Sequence, residues 1–247
     1  MKHSSIPWGQ LNPGEETLVI ELPFEQSLHI QKKDEELNIT KTVLQDSETH
    51  RFITGKSNHA YLYPSLPDLP ITIKPQQATT ILPGKKMEVF IEVPLSVSLY
   101  YGSHTKKELI YETPLHPLSR SFFGSPDNGE LSYFLESPLY CKYEIYENSS
   151  SSVYCPVSIT NKSVQKLDIE RMILRVPLLS IYESGAYLVS SPVTISFRGQ
   201  DDISQINYLN YSNDRKQNMT LLASPRQKVD KSLLKRSFYF LKTLYTG

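Results

Sequence analysis

Apolar and polar side chains alternate with a period of two along most of this chain, the mark of half-buried β-strands. Thr17 to Leu22 puts Leu18, Ile20 and Leu22 on one face; Leu28 with Ile30, and Leu37 with Ile39, repeat the pattern. Tyr61 and Tyr63 flank Leu62. From Met87 to Val93 the residues Val89, Ile91 and Val93 alternate with Glu88, Phe90 and Glu92, and Leu95, Val97 and Leu99 carry the alternation on. Further strands are expected at Tyr143–Tyr146, Val153–Thr160, Leu167–Val176, Tyr187–Ser190 and Val193–Phe197. Before residue 224 no 3.6-residue period stands out. Short strands broken by frequent turn signals predict an all-β chain of sandwich or barrel type.

The turns divide this pattern. Pro83-Gly84 has the chemistry of a type II turn, because proline presets φ at the first corner and glycine accepts the positive φ at the second. Asn128-Gly129 between Phe122-Phe123 and Leu131–Phe134 reads as a tight hairpin turn. Asn148–Ser152 is a polar loop. Val89–Leu95 is echoed by Met172–Leu178, each ending in Val-Pro-Leu. The echo and the proline-rich seam from Pro114 to Asn128 suggest two similar immunoglobulin-like β-sandwich units in tandem, residues 1–120 and 121–223.

Residues 224–247 differ. Ser224-Pro225 is a helix start, with a capping serine and a proline suited to the first turn. On a helical wheel Val229, Leu233, Leu234, Phe238, Phe240, Leu241, Leu244 and Tyr245 share one half, and Lys228, Lys231, Lys235, Arg236 and Lys242 the other. An amphipathic helix is therefore expected, laid on a sandwich or docked elsewhere.

Charge sharpens that expectation. The chain has 26 basic and 26 acidic residues. Arg226 to Gly247 holds six of the basic residues and one acidic residue, Asp230, which leaves the preceding chain acidic by the same margin. An aromatic apolar face beside a basic face suits an anionic membrane surface or a protein partner; nothing in the overall balance points to nucleic acid. The N-terminal residues lack the apolar core of a signal peptide, and no apolar run approaches a membrane span. The expected place is the cytoplasm, with the helix offering peripheral contact to an inner membrane. In that setting the five Asn-x-Ser/Thr triplets carry no glycosylation meaning. Cys141 and Cys155 are then read as free thiols in preference to a disulfide.

Common catalytic signatures are missing. There is no Gly-rich phosphate loop, no His-Glu-x-x-His, no Cys-x-x-Cys and no Gly-x-Ser-x-Gly elbow, so no cofactor and no metal is expected. The six histidines (His3, His29, His50, His59, His104 and His116) are scattered. The densest reactive stretch is His116, Ser119, Arg120 and Ser121, followed by Asp127 and Glu130. A hydrolase site could be drawn from it, but proximity in sequence is not triad geometry. Recognition is the better reading. Arg120 can clamp a carboxylate or phosphate beside Phe122 and Phe123. The candidate binding residues are thus Arg120, Phe122, Phe123, Lys231, Lys235, Arg236 and Lys242, and the expected role is that of a non-enzymatic binding or adaptor protein, able to meet a protein partner or itself.

The middle of the chain also resembles a known family. The residues that carry the resemblance are Pro67–Ile73, Leu82–Pro94, Pro117–Gly124 and Gly129–Tyr133, of which Pro-Leu-Ser…Phe-Gly…Gly-Glu-Leu-x-Tyr is the most specific part. The family is a domain of unknown function, number four-three-two, of archaeal and bacterial proteins. The resemblance implies a prokaryotic, cytoplasmic protein and transfers no activity and no catalytic residue.

Overall fold

The computed structural model describes residues 6–55, 59–124, 129–141, 151–185, 187–199, 205–211 and 218–228. These residues are built from β-strands with no α-helix. In chain order the strands are β1 (Gly9–Leu11), β2 (Leu18–Leu22), β3 (Gln26–Lys33), β4 (Glu36–Val43), β5 (Asp46–Ile53), β6 (His59–Ser65), β7 (Ile71–Pro75), β8 (Thr79–Ile81), β9 (Lys86–Pro94), β10 (Ser96–Gly102) and β11 (Lys107–Pro114). They continue with β12 (Ser119–Phe123), β13 (Glu130–Ser137), β14 (Ser152–Asn161), β15 (Leu167–Ile169), β16 (Met172–Leu174), β17 (Ile181–Ser184), β18 (Tyr187–Ser190), β19 (Val193–Phe197), β20 (Gln205–Tyr208) and β21 (Thr220–Ala223). A 3-10 turn, Val176–Leu178, follows β16. No helix among the described residues is long and apolar enough to cross a membrane.

The chain forms two compact units, and neither is one continuous stretch. Unit 1 takes Met1–Ser65, Pro94–His116 and Asn148–Ser151; unit 2 takes Leu66–Val93, Pro117–Glu147 and Ser152–Gly247. One crossing, from His116 to Pro117, falls within the proline-rich segment.

Unit 1 holds two four-stranded antiparallel sheets, ordered β1-β6-β10-β11 and β2-β3-β4-β5. Alternation sorts their side chains. Ile20, Leu22, Leu28, Ile30, Leu37 and Ile39 are buried in one sheet, and Ala60, Leu62, Val97 and Leu99 in the other. Side chains also reach from sheet to sheet. Lys41 Nζ donates to Thr113 Oγ1 at 2.6 Å, and the His50 and Tyr111 rings lie 5.1 Å apart. Burial lowers the Lys41 pKa and raises that of Tyr111. The β10–β11 hairpin is closed by Ser103 N–H donating to Lys106 C=O, with Lys106 N–H donating back to Ser103 Oγ.

Unit 2 mixes strand directions. One sheet runs β12-β13-β7-β16 with β13 and β7 parallel. A larger one runs β20-β19-β14-β18-β17-β21, with β14 parallel to both β18 and β19 and with β9 also paired to β14. Parallel neighbours require crossover connections, which is why strands distant in sequence sit side by side. Part of the tyrosine content is spent here: Tyr154, Tyr182 and Tyr211 cluster with Val189, and Tyr211 O–H donates to Ser190 C=O.

Pro83-Gly84 forms the expected turn, with Gly84 at φ +69° and Lys85 N–H bonded to Leu82 C=O. It is a link and not a hairpin, since β8 pairs with β15 and β9 with β14. The echo does not mark two similar units. Val89–Leu95 straddles the division, with Pro94 and Leu95 in unit 1, while Met172–Leu178 lies wholly in unit 2; the first is mostly a long strand and the second a three-residue strand and a 3-10 turn. The expected helix start is also corrected. Ser224–Lys228 is not helical; Gln227 N–H is bonded to Pro177 C=O and Arg226 Nε to Leu66 C=O, which holds this stretch against unit 2. The rest of the expected helix lies outside the described residues, as does the strand expected at Tyr143–Tyr146.

Gly102, at φ +149°, closes β10 where an added Cβ would collide with the Lys106 carbonyl. Gly102→Ala is expected to destabilise the protein by about 2–4 kcal/mol, through steric conflict and left-handed strain together. Chemical denaturation followed by tryptophan and tyrosine fluorescence checks this; an unchanged midpoint would refute it.

Candidate functional site

The residues singled out near position 120 lie on the β12–β13 hairpin of unit 2. Its register pairs Ser119 with Phe134, Arg120 with Tyr133, Ser121 with Ser132, Phe122 with Leu131 and Phe123 with Glu130. The connection therefore spans Gly124 to Gly129, and Asn128-Gly129 is not the two-residue turn that the sequence suggests. Closure four residues earlier decides which side chains meet. It places Arg120 opposite Tyr133, where a turn at Asn128-Gly129 would put Ser137.

Residues on opposite strands of a bonded pair share a face. Phe123 and Ser132 are buried on one face. That face is tied to β7 by a 2.8 Å hydrogen bond between Thr72 Oγ1 and Ser132 Oγ. The other face carries Arg120, Phe122, Leu131 and Tyr133. Phe122 is 49% exposed and Leu131 48%, so two large apolar groups sit side by side in water. The Phe122 ring lies over Gly129, where any Cβ would strike it.

Tyr133 fixes the polar end of this face. Its N–H donates to Pro70 C=O at 2.8 Å and its hydroxyl donates to Asp68 Oδ1 at 3.0 Å. Burial raises the Tyr133 pKa first; the hydrogen bond to Asp68 and its charge raise it further, and the Arg120 guanidinium at the same hydroxyl pulls it down. Among the described residues Arg120 makes no ion pair. Glu130, opposite Phe123 on the same hairpin, is anchored to Arg175, whose Nη1 stands 2.8 Å from Glu130 Oε2 with the arginine almost wholly buried. Arg175 N–H in turn donates to Tyr208 Oη, and burial drives the Tyr208 pKa up.

Phe123, read from the sequence as a binding residue, is only 5% exposed and serves the core. Arg120 and Phe122 are brought together. Lys231, Lys235, Arg236 and Lys242 lie outside the described residues. Of the reactive stretch, His116 belongs to unit 1, where its ring packs 5.4 Å from Phe24; Glu130 is held by Arg175; Asp127 lies outside the described residues. Tyr133, Leu131 and Asp68 were not singled out as binding residues. Each is present in the stretches that carry the family resemblance, but only the register reveals their company with Arg120. No group of three or more His, Cys, Asp or Glu side chains placed to hold a metal occurs among the described residues.

Both cysteines are free; Cys141 is exposed and Cys155 buried. Burial pushes the Cys155 thiol up to about 12, against a smaller opposing pull from the Ser190 hydroxyl. Thiolate is the reactive form. Ellman's reagent at about pH 8 should thus modify Cys141 promptly and Cys155 only after denaturant is added; two equally fast thiols in the native protein would refute this.

The charges around Tyr133 make a second prediction with two signs. Asp68→Asn should lower the Tyr133 pKa and Arg120→Ala should raise it, read by NMR titration of ring-labelled tyrosine. Shifts of the same sign in both variants would overturn the assignment. Neither the curated proteins nor the solved structures contain a match to this chain. Over residues 7–242, nearly the whole chain, it matches the model of the family described as Protein of unknown function (DUF432), and it belongs to that family.

Proposed function

We propose that this is a non-enzymatic binding protein built from β-sandwich units, and that the outward face of the β12–β13 hairpin is its recognition surface. The sandwich reading has its best support in unit 1, where side chains such as Lys41 and His50 span from one four-stranded sheet to the other. The parallel pairs of unit 2 depart from the antiparallel immunoglobulin-like pattern.

One observation carries the recognition reading. A guanidinium that makes no ion pair among the described residues shares a face with two half-exposed apolar side chains, while Tyr133 and Asp68 hold the polar end in place. Arginine presents a planar fork that matches carboxylate and phosphate oxygens. Arginine and aromatic residues also dominate binding energy at protein interfaces. The ligand class that fits is a peptide segment with an acidic side chain next to an aromatic or aliphatic one. Asp68 adds selectivity, since it repels an anion placed on the wrong side of Tyr133.

A displayed peptide library panned against the full chain tests this. Enriched peptides should pair Asp or Glu with a large apolar neighbour. Their affinity should fall about tenfold or more in Arg120→Ala, as expected for loss of a charged hydrogen bond, and in Phe122→Ala, while Arg120→Lys recovers only part. Both side chains are exposed, so neither truncation should move stability by more than about 0.5 kcal/mol. A library with no acidic enrichment, or peptides indifferent to both truncations, would sink the proposal.

A further inference from the structure

A second interaction surface lies in unit 1, on β5. This strand is the outer edge of its sheet, and among the described residues nothing pairs with its far side. It runs eight residues in unbroken register with β4. The other edges of unit 1 are protected in ways that β5 is not. β1 and β2 are three and five residues long, and β11 has a bulge opposite Leu99 and Tyr100 and ends in Pro114. Short length, bulges and prolines are the usual guards against edge pairing. β5 has none of these and carries no lysine; the guards it does have are the charged side chains of Asp46, Glu48 and Arg51.

The hydrogen-bond phase of β5 follows from one contact. Thr54 N–H donates to Glu35 C=O, one step beyond the Glu36–Ile53 pair. Bonded and non-bonded pairs alternate in an antiparallel ladder. Asp46, Glu48, His50 and Phe52 therefore turn their backbone groups toward β4. Ser47, Thr49, Arg51 and Ile53 turn theirs outward. Glu48 and His50 also share a face, with His50 Nε2 3.1 Å from Glu48 Oε1.

We propose that β5 pairs with β5 of a second copy of this chain, antiparallel across a two-fold axis at Thr49. An isologous edge contact must bring outward residues opposite outward residues, which leaves only registers centred on a single residue. Centring on Glu48 sets two carboxylates against each other. Centring on His50 or Arg51 sets like groups face to face. Centring on Thr49 sets Glu48 opposite His50 of the other copy and His50 opposite its Glu48, with Ser47 opposite Arg51. This is the register in which each Glu48 carboxylate meets an imidazole able to donate to it, and the three bonded pairs supply about six main-chain hydrogen bonds. The contact is small beside a standard interface, so the dimer is weak and reversible.

Sedimentation of the full chain from about 5 μM to about 1 mM tests it by mass action. A monomer–dimer equilibrium is expected. Thr49→Pro removes an outward N–H and leaves the main-chain β4–β5 bonds intact, although the Thr40–Thr49 hydroxyl bond is lost; it should weaken dimerisation at least tenfold. Glu48→Lys alone and His50→Glu alone should each weaken it, and the two together should restore it, because the charges are then exchanged across the axis. The charge exchange decides the matter even if the proline variant does not fold. A chain that stays monomeric at the highest concentration, or a dimer indifferent to the charge exchange, overturns the proposal.

Discussion

Strand register governs most of what this protein can do, because a slip of one residue moves every side chain of a strand to the opposite face. The consequence is plainest at the β12–β13 hairpin. The pairing of Arg120 with Tyr133 and of Phe122 with Leu131 collects a cation, a phenol and two apolar groups on one surface, and sends Phe123 and Ser132 inward. The same rule acts in unit 1, where Leu62 is buried and the flanking Tyr61 and Tyr63 rings stack 6.3 Å apart on the other face. Lys107 Nζ lies 3.8 Å from the Tyr61 ring centre and donates to Tyr63 Oη, so that face is fastened by a cation as well as by stacking.

Interior polar groups are largely answered, as an all-β interior requires. Asn161 is fully buried at the end of β14. Its amide donates to Ile81 C=O and Gln165 C=O, and its oxygen accepts from Ser163 N–H and Ser163 O–H. One side chain thus organises the turn after β14 and ties it to β8. Arg175 does comparable work beside β16. Its ion pair with Glu130 holds the turn end of the hairpin whose far face is proposed to bind. Removing Glu130 would take the ion-pair partner from an almost wholly buried guanidinium, which costs more than the pair itself contributes. The proposed binding face and its support are therefore chemically separate: the groups proposed to recognise are exposed, and those that hold register are buried.

The alternation of Leu28, Ile30, Leu37 and Ile39, or of Val89, Ile91 and Val93, was legible in the linear chain because burial of one strand face needs only local order. The Pro83-Gly84 turn was legible for the same reason, as proline and glycine set their own dihedrals. What could not be read was partnership. Asn128-Gly129 has good local turn chemistry, yet the hairpin closes at Phe123 and Glu130, where burial of Phe123 and the Thr72–Ser132 bond act over long range. The Val-Pro-Leu echo failed likewise: like words went to a long strand in one case and to a 3-10 turn in the other. Arg120 and Phe122 were visible as recognition chemistry, whereas Tyr133, Leu131 and Asp68 join them only by pairing.

By itself, then, the sequence determined the β class, the inward and outward sets of many strands, one turn type, and the family, since each depends on neighbours along the chain. The tertiary structure alone decided that the two units are threaded from interleaved segments and that unit 2 contains parallel pairs. It also decided which strand remained an edge, and which residues stand opposite Arg120. Those outcomes depend on non-local hydrogen bonding and on competition among strands of similar pattern, and no single strand carries that information.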